Sequence, residues 1–351
     1  MDLSAFDFDL PERLIALRPV MPRDQSRLLV VRGTGELQDH IFADLPALLD
    51  QSDTLVFNDT RVLPAALKGI RRARDAFGHD VPVDVNLVEP IDDLTWRALA
   101  RPGKRLRIGD QLDFGGEFHA TLLAKGEEGR VDLAFACPKG DLRAALEAYG
   151  NMPLPPYIAR RRAADAKDKT DYQTRFAGDH AASVAAPTAG LHFTERVLSA
   201  LEEKGVDRCT VRLHVGLGTF APLTETHWQS ARLHEEWRSV DTSAAAQLTS
   251  AREAGRRIIA VGTTAMRTLE SAVDASGQIR AVEGPTDIFL RPGDAIQATG
   301  GLVTNFHLPK SSLFMLVAAL MGTELMQAAY AHAIAEDYRF YSYGDACLLL
   351  P

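Results

Sequence analysis

Short β-rich runs separated by turn residues fill the stretch from Ala65 to Pro138, and none of them has the length or periodicity of an ordinary helix. The runs lie at 66–72, 81–90, 95–101, 111–114, 119–126 and 130–138. A sheet of many short strands exposes two edges unless it closes on itself. Six such runs at this spacing therefore predict a small, closed antiparallel β-barrel.

Strand-like and helix-like patterns alternate on both sides of this region. Strand patterns occur at 26–31, 54–59, 209–215, 257–261 and 303–306, and helical patterns at 195–204, 244–254, 265–273 and 313–321. This alternation is typical of an α/β domain, and 351 residues are enough for two hydrophobic cores. We predict an α/β fold in which a discontinuous α/β domain, residues 1–64 and 151–351, carries the barrel, residues 65–150, as an insertion.

The overall charge does not favour binding to nucleic acid, because the formal net charge is −8. Residues 97–107, however, contain five basic residues and no acidic one. Such a cluster either contacts phosphates or is a solvated loop, and composition leaves both interpretations open.

The sequence carries no pattern of a membrane, secreted or metal-binding protein. Its longest apolar run, 313–321, is far shorter than the ~20 residues that cross a bilayer, and its first residues are acidic, unlike those of a signal peptide. The three cysteines lie far apart, and the histidines form no HExxH motif. We expect a cytoplasmic protein without a membrane segment or a metal site. Since no coiled coil is apparent, we also expect a monomer.

Histidines and small residues cluster where predicted strands end. Ligands of open α/β sheets bind beyond the carboxyl ends of the strands. The candidates are His192 in SVAAPTAGLHF (183–193), His214, Gly216 and Gly218 in LHVGLGTF (213–220), and Asn305 and His307 in TNFHLPKSS (304–312). Each histidine is either a hydrogen-bonded structural residue or an acid–base group. The run His234-Glu235-Glu236 offers a further acid–base candidate, or a solvated surface.

Two glycine-containing turns are candidates for holding a nucleotide. The pair Gly216 and Gly218 resembles the start of a dinucleotide-binding fingerprint, but Phe220 and Pro222 follow where that motif needs a helix. The turn Val261-Gly262-Thr263-Thr264 opens directly onto a predicted helix, whose free N–H groups suit a carboxylate or phosphate. It is either such a cradle or an ordinary strand-to-helix turn.

Longer motifs extend this pattern over the whole chain. They include VFNDTRVLPA (56–65), SVAAPTAGLHF (183–193), LHVGLGTF (213–220), AVGTTAMRTLES (260–271) and TNFHLPKSSLFMLVAAL (304–320). In this order they resemble the S-adenosylmethionine:tRNA ribosyltransferase-isomerases of queuosine biosynthesis.

The resemblance implies a specific reaction. Members of that family transfer and isomerise the ribosyl moiety of S-adenosylmethionine onto 7-aminomethyl-7-deazaguanine at the tRNA wobble position, which gives epoxyqueuosine in tRNA, adenine and methionine. S-adenosylmethionine is then a co-substrate, and no permanently bound cofactor or metal is expected. The chemistry needs a base to remove a proton beside the sulfonium and an acid to help adenine leave.

Candidate residues for these roles follow from the resemblance and from the strand-end positions. The acid–base candidates are His192, His214, Glu235 and His307. Candidate contacts with S-adenosylmethionine are Gly216, Gly218, Thr263, Thr264, Arg267 and Asn305, with Arg267 available for the methionine carboxylate. Candidate tRNA contacts are Arg101, Lys104 and Arg105 on the barrel and the three arginines at 160–162.

Two other functions fit parts of the sequence. An S-adenosylmethionine-dependent RNA methyltransferase would use the same co-substrate but would transfer its methyl group. A non-catalytic RNA-binding protein would use the barrel as its binding module. Reactive side chains concentrated at strand ends favour an enzyme over the second alternative.

Overall fold

The computed structural model describes residues 3–178, 181–216, 223 and 225–351. The chain divides into two compact units. Unit 1 comprises Met1–Thr60, Thr174–Gly178 and Pro187–Pro351, and unit 2 comprises Arg61–Gln173 and Asp179–Ala186. The predicted domain boundaries after residues 64 and 150 stay a prediction.

Strands and short helices make up most of the described chain. The strands are β1 (Arg27–Arg32), β2 (Leu37–Ile41), β3 (Thr54–Asn58), β4 (Arg61–Val62), β5 (Ala66–Arg71), β6 (Val81–Pro90), β7 (Thr95–Arg101), β8 (Gln111–Gly115), β9 (Phe118–Lys125), β10 (Arg130–Ala136), β11 (Ala181–Ser183), β12 (Asp207–Leu213), β13 (Arg232–Val240), β14 (Ile258–Val261), β15 (Val282–Ile288), β16 (Gly301–Asn305) and β17 (Ala346–Leu350). The α-helices are α1 (Leu45–Leu48), α2 (Leu142–Tyr149), α3 (Pro156–Ala159), α4 (Ala166–Asp171), α5 (Glu195–Lys204), α6 (Glu225–Ser230), α7 (Thr242–Glu253), α8 (Thr263–Ser271), α9 (Ser312–Met321) and α10 (Thr323–Ala335).

A mixed sheet forms the framework of unit 1. Its described strands lie in the order β15-β13-β12-β3-β14-β16-β17-β1-β2. The neighbours β12, β3, β14 and β16 run parallel to one another, whereas β13 and β17 run antiparallel to β12 and β16. This mixed sheet with its helices confirms the predicted α/β fold class.

Helices pack on both faces of this sheet. Successive side chains of a strand point to opposite faces. Ile258 and Ala260 of β14 therefore join one core with apolar residues of α7, α8, α9 and α10, while Ile259 and Val261 join a second core with residues of α1 and α5. Burial on both faces explains why the sequence of β14 is apolar throughout.

Local capping sets the ends of the helices that the sequence predicts. The hydroxyl oxygen of Thr194 accepts a hydrogen bond from the N–H of Val197 at 3.4 Å and begins α5, which ends at Gly205 with a φ of +81°. The hydroxyl of Ser311 caps α9 in the same way, at 3.1 Å from the N–H of Phe314. The predicted helix at 195–204 is thus confirmed at both ends.

The described strands of unit 2 include a closed barrel with the order β10-β7-β6-β5-β8-β9. All of its neighbouring strands pair antiparallel. Alternate residues of β6, from Val81 to Leu87, are buried while Pro82 and Asp84 are exposed. The predicted antiparallel barrel is confirmed, and closure removes the sheet edges that six open strands would expose.

No single helix among the described residues is long and apolar enough to cross a membrane. By length and composition α9 and α10 would meet the requirement only as a pair, and a bend of 116° separates them.

Candidate active site

Several polar residues meet at one edge of the sheet of unit 1. Asn58 ends β3, Asn305 ends β16, His214 follows β12, and Gly262 follows β14. Because these four strands are parallel neighbours, their carboxyl ends lie along the same edge. Segments that are far apart in the sequence thus form one carboxyl edge, which is where open α/β sheets bind ligands.

Asn58 holds this edge together. Its side chain is 1% exposed, and its Nδ2 donates to the carbonyl oxygen of Leu213 at 3.0 Å and to Oγ1 of Thr264 at 3.1 Å. Its Oδ1 accepts from the N–H groups of Leu213 and Thr60, at 3.2 and 3.1 Å. One amide therefore links the ends of β3 and β12 to the first turn of α8.

The turn into α8 has the form that the sequence predicts. Gly262 adopts a φ of +90°, a conformation that side chains rarely tolerate, and its N–H donates to the carbonyl oxygen of Val303 at 2.7 Å. Thr263 and Thr264 follow as the first buried residues of the helix. α8 begins directly after β14 at the carboxyl edge, and the first N–H groups of a helix have no partner within the helix, so this position suits an anionic group.

Arg267, one turn further along α8, is a buried cation with two unused donors. It is 4% exposed, and its Nη1 donates to Oε2 of Glu236. Its Nε and Nη2 have no hydrogen-bond partner among the described residues. An unsatisfied buried donor costs about 1–3 kcal/mol, more for a charged group, so this side chain is suited to a ligand that brings acceptors.

The sequence-based candidate Glu235 and its neighbour Glu236 occupy different environments. Glu235 is exposed, whereas Glu236 is 8% exposed, pairs with Arg267 and accepts the N–H of Gly216 at 3.0 Å through Oε1. Sequence reasoning did not select Glu236. Strand alternation could not have distinguished the two acids, because β13 carries a register shift between Arg232 and Glu236 against β15.

Asn305 presents a second unused donor. Its Oδ1 accepts from the hydroxyl of Thr188 at 2.8 Å, which leaves the amide nitrogen as the group directed elsewhere. This Nδ2 is buried and has no partner in the part of the chain that the structure describes. Thr188 opens the 3-10 turn Thr188–His192, so the segment 183–193 contributes to the edge through Thr188.

His214 lies half-buried at the same edge. Its Nδ1 is 3.1 Å from Oγ1 of Thr60, and its ring stacks on Trp237 with centroids 4.7 Å apart and planes 15° from parallel. The ring is thus fixed in orientation by a hydroxyl and by an indole. Gly216 follows two residues later, and Gly218 lies outside the described residues.

His192 and His307 are buried in the protein. The two ring nitrogens of His192 lie 3.1 and 3.0 Å from the carbonyl oxygens of Ala189 and Gly344. Burial lowers the pKa of His192, although these carbonyl contacts act in the opposite direction. Burial also lowers the pKa of His307 to about 3, and its Nε2 is 2.9 Å from Oγ1 of Thr304. Both rings are therefore neutral near pH 7 and held by neighbouring protein atoms.

No group of three or more histidine, cysteine, aspartate or glutamate side chains that could hold a metal ion occurs among the residues that the structure describes. The residues of the carboxyl edge are mainly amides, hydroxyls and one ion pair. Such a set binds through hydrogen bonds and charge.

The barrel carries a basic surface, here called the basic turn, which consists of Arg101, Lys104, Arg105 and Arg107. All four side chains are exposed, and within the described ranges none of them forms an ion pair with an acid. Two other exposed arginines of the barrel are paired with acids: Arg72 contacts Asp80 and Asp113, and Arg97 contacts Glu89 and Asp132. The basic turn therefore retains its positive charge for an external anion.

Comparison with known proteins identifies relatives of the whole chain. The family model described as queuosine biosynthesis protein matches residues 3–349. A protein of Hyphomonas neptunium named S-adenosylmethionine:tRNA ribosyltransferase-isomerase is 64% identical over 351 residues, which cover 100% of both chains. A protein of Maricaulis maris with the same name is 55% identical over 350 residues, 99% of both chains.

A solved structure is similar as well. The crystal structure of S-adenosylmethionine tRNA ribosyltransferase from Thermotoga maritima matches 99% of this chain and 100% of its own, with a TM-score of 0.56 and 34% sequence identity. The predicted resemblance and the predicted enzyme class are thereby confirmed. The chain belongs to the queuosine biosynthesis family, that of the S-adenosylmethionine:tRNA ribosyltransferase-isomerases.

Proposed function

We propose that this enzyme transfers and isomerises the ribosyl moiety of S-adenosylmethionine onto 7-aminomethyl-7-deazaguanine at the tRNA wobble position, and that it releases adenine and methionine. S-adenosylmethionine is the co-substrate of the reaction. The observation that carries the placement of this co-substrate is the set of buried, unpartnered donors at the carboxyl edge: Nε and Nη2 of Arg267 and Nδ2 of Asn305. S-adenosylmethionine offers matching acceptors in its carboxylate, its ribose hydroxyls and its adenine nitrogens.

Of the four predicted acid–base residues, His214 has the strongest support as the base. It lies at the carboxyl edge, it is half-buried, and Thr60 and Trp237 orient its ring. Histidine is the side chain that most often serves as a general acid or base near neutral pH. Protein contacts on both ring nitrogens favour a structural role for His192, and its low pKa favours the same for His307. Glu235, exposed on β13, remains a candidate for the acid.

The remaining predicted contacts form a single binding region in this proposal. Thr263 and Thr264 contribute the start of α8, and Asn58 fixes Thr264. Gly216 contributes backbone, held by Glu236. Gly218 belongs to the same predicted segment. We propose that tRNA contacts the basic turn of the barrel, and that the enzyme acts in the cytoplasm as a monomer.

Product analysis tests the proposal. The enzyme is incubated with S-adenosylmethionine and with tRNA that carries 7-aminomethyl-7-deazaguanine, and the small molecules are separated by chromatography. We expect adenine and methionine in equal amounts. S-adenosylhomocysteine without adenine would instead indicate a methyltransferase, and unchanged S-adenosylmethionine a non-catalytic RNA-binding protein.

Substitution of the histidines tests the assignment of the base. His214→Asn should lower kcat by about 10²- to 10⁴-fold, the usual contribution of general acid–base catalysis. His192→Asn and His307→Asn should lower thermal stability more than kcat. Near-normal turnover by the His214 variant would contradict the assignment.

A further inference from the structure

We infer that Glu236 is a positioning residue, which orients one edge of the Arg267 guanidinium toward the amino-acid carboxylate of a sulfonium co-substrate. The site then selects the co-substrate by that carboxylate. The inference rests on the proposed function, since it names the group of the co-substrate that this side chain recognises. The sequence indicated only that Arg267 is available for the methionine carboxylate, and it did not indicate the role of Glu236.

The geometry of the guanidinium limits what it can bind. Arginine carries its N–H donors in a planar fork, and Nε together with one Nη forms an edge with two parallel donors that match the two oxygens of a carboxylate. In Arg267 the Nη1 is occupied by Glu236, and Nε and Nη2 are the two atoms that are buried without a partner. The unused donors thus form one complete edge of the fork.

Two further contacts fix the position of Glu236. Its second oxygen accepts the N–H of Gly216 at 3.0 Å, so its carboxylate is held at both oxygens. Its backbone lies opposite Thr286 in the pairing of β13 with β15. Arg267 itself extends from α8, whose first turn is tied to β3 through Asn58 and Thr264. The orientation of the free edge is therefore set before a ligand arrives, which reduces the entropic cost of binding.

Charge indicates what kind of carboxylate the site accepts. Arg267 and Glu236 together have no net charge, so a simple anion at the free edge would bury a net negative charge, which is unfavourable. S-adenosylmethionine brings a sulfonium and an ammonium group along with its carboxylate. The same argument disfavours a tRNA phosphate, because Arg267 is only 4% exposed and a phosphodiester brings no cation.

Binding of S-adenosylmethionine and of its decarboxylated analogue to the full-length enzyme without tRNA, measured by calorimetry, tests the inference. Wild type should bind S-adenosylmethionine about 10- to 150-fold more tightly than the analogue, the range that charge-assisted hydrogen bonds give. Arg267→Gln should bind both compounds with similar affinity. Glu236→Gln should lose much of the selectivity, because the guanidinium edge is no longer oriented, and should raise KM for S-adenosylmethionine more than it lowers kcat.

Asp53→Asn provides a matched control. Asp53 is 1% exposed and accepts from Nε and Nη2 of Arg257 at 2.9 and 2.8 Å, so it is another buried carboxylate of unit 1 that pairs with an arginine, immediately before the amino end of β3. This variant should lower the unfolding temperature and leave the selectivity unchanged. Both compounds carry the ammonium group, so this group should not restore selectivity to Arg267→Gln.

Three outcomes would overturn the inference: equal affinity of wild type for both compounds, full selectivity in Arg267→Gln, or full selectivity in Glu236→Gln. Failure of the proposed function has a different signature, since wild type would then release no adenine in the presence of tRNA. An enzyme that releases adenine but does not distinguish the two compounds contradicts the inference alone.

Discussion

Removal of the cations of the basic turn is expected to weaken tRNA binding in a salt-dependent manner. The triple variant Arg101→Gln, Lys104→Gln, Arg105→Gln eliminates three exposed charges that have no acidic partner among the described residues. Since no internal ion pair is lost, the fold of the barrel should be unaffected. Any change in binding should therefore report the contact with tRNA.

The magnitude follows from counterion release. Each phosphate that a cation neutralises contributes about 0.7 to 0.9 to the slope of log K against log salt, with the lower value for single strands. Three lost contacts should reduce the magnitude of the slope by about 2 to 3. Between about 50 and 200 mM salt, the affinity of wild type should consequently fall about 20- to 40-fold more than that of the variant.

Fluorescence anisotropy of labelled tRNA across this salt range provides the assay. The control is Arg72→Gln, Arg97→Gln, which removes exposed arginines of the same barrel that are paired with acids. Per charge removed, its slope should change much less than that of the triple variant. Equal changes per charge in both variants would refute the idea that the unpaired cations of the basic turn contact phosphates.

Three other substitutions test separate parts of the structure. His307→Gln should flatten the dependence of stability on pH, because the pKa of His307 is about 3 in the folded protein and 6.5 in the unfolded chain. Between these values the unfolded chain binds more protons, so wild type loses stability as pH falls, by about 2 kcal/mol from this group at pH 5. Urea titrations at pH 7 and 5 measure this, and identical pH slopes would contradict it. Thr188→Val removes the hydroxyl that orients Asn305, so the affinity for S-adenosylmethionine should fall about 5-fold, the effect of one hydrogen bond of about 1 kcal/mol. Calorimetry measures this affinity, and an unchanged value would argue against Asn305 as a contact. Phe77, 94% exposed on the barrel, should act as a stacking surface for an unpaired base, so Phe77→Ala should weaken tRNA binding about 5- to 150-fold. Phe77→Tyr and the exposed control Ile91→Ala should leave tRNA binding unchanged, and equal effects of the two alanine variants would exclude stacking.

The sequence was sufficient for features that depend on local pattern. The barrel strands could be predicted because alternation and turn residues act over a few positions, and β6 and β7 have the predicted bounds at 81–90 and 95–101. The ends of α5 follow from Thr194 and Gly205, which act on adjacent backbone groups. The order of the long motifs likewise indicated the family, because each motif is itself a local pattern.

Features that depend on pairing between distant segments could not be predicted. The sequence did not reveal that β17, at the end of the chain, lies between β16 and β1. It made His307 an acid–base candidate because this residue follows a strand end, whereas the packing around the side chain lowers its pKa. Burial depends on which elements cover a residue, and no local pattern records that.

The two adjacent acids of β13 illustrate the limit most directly. The sequence determined that a carboxylate lies near position 235 and that Arg267 follows the turn into α8. Only the tertiary structure decided that Glu236, and not Glu235, meets that arginine. The physical reason is that the face on which a side chain lies depends on the register of its strand, and β13 shifts its register against β15 just before Glu236.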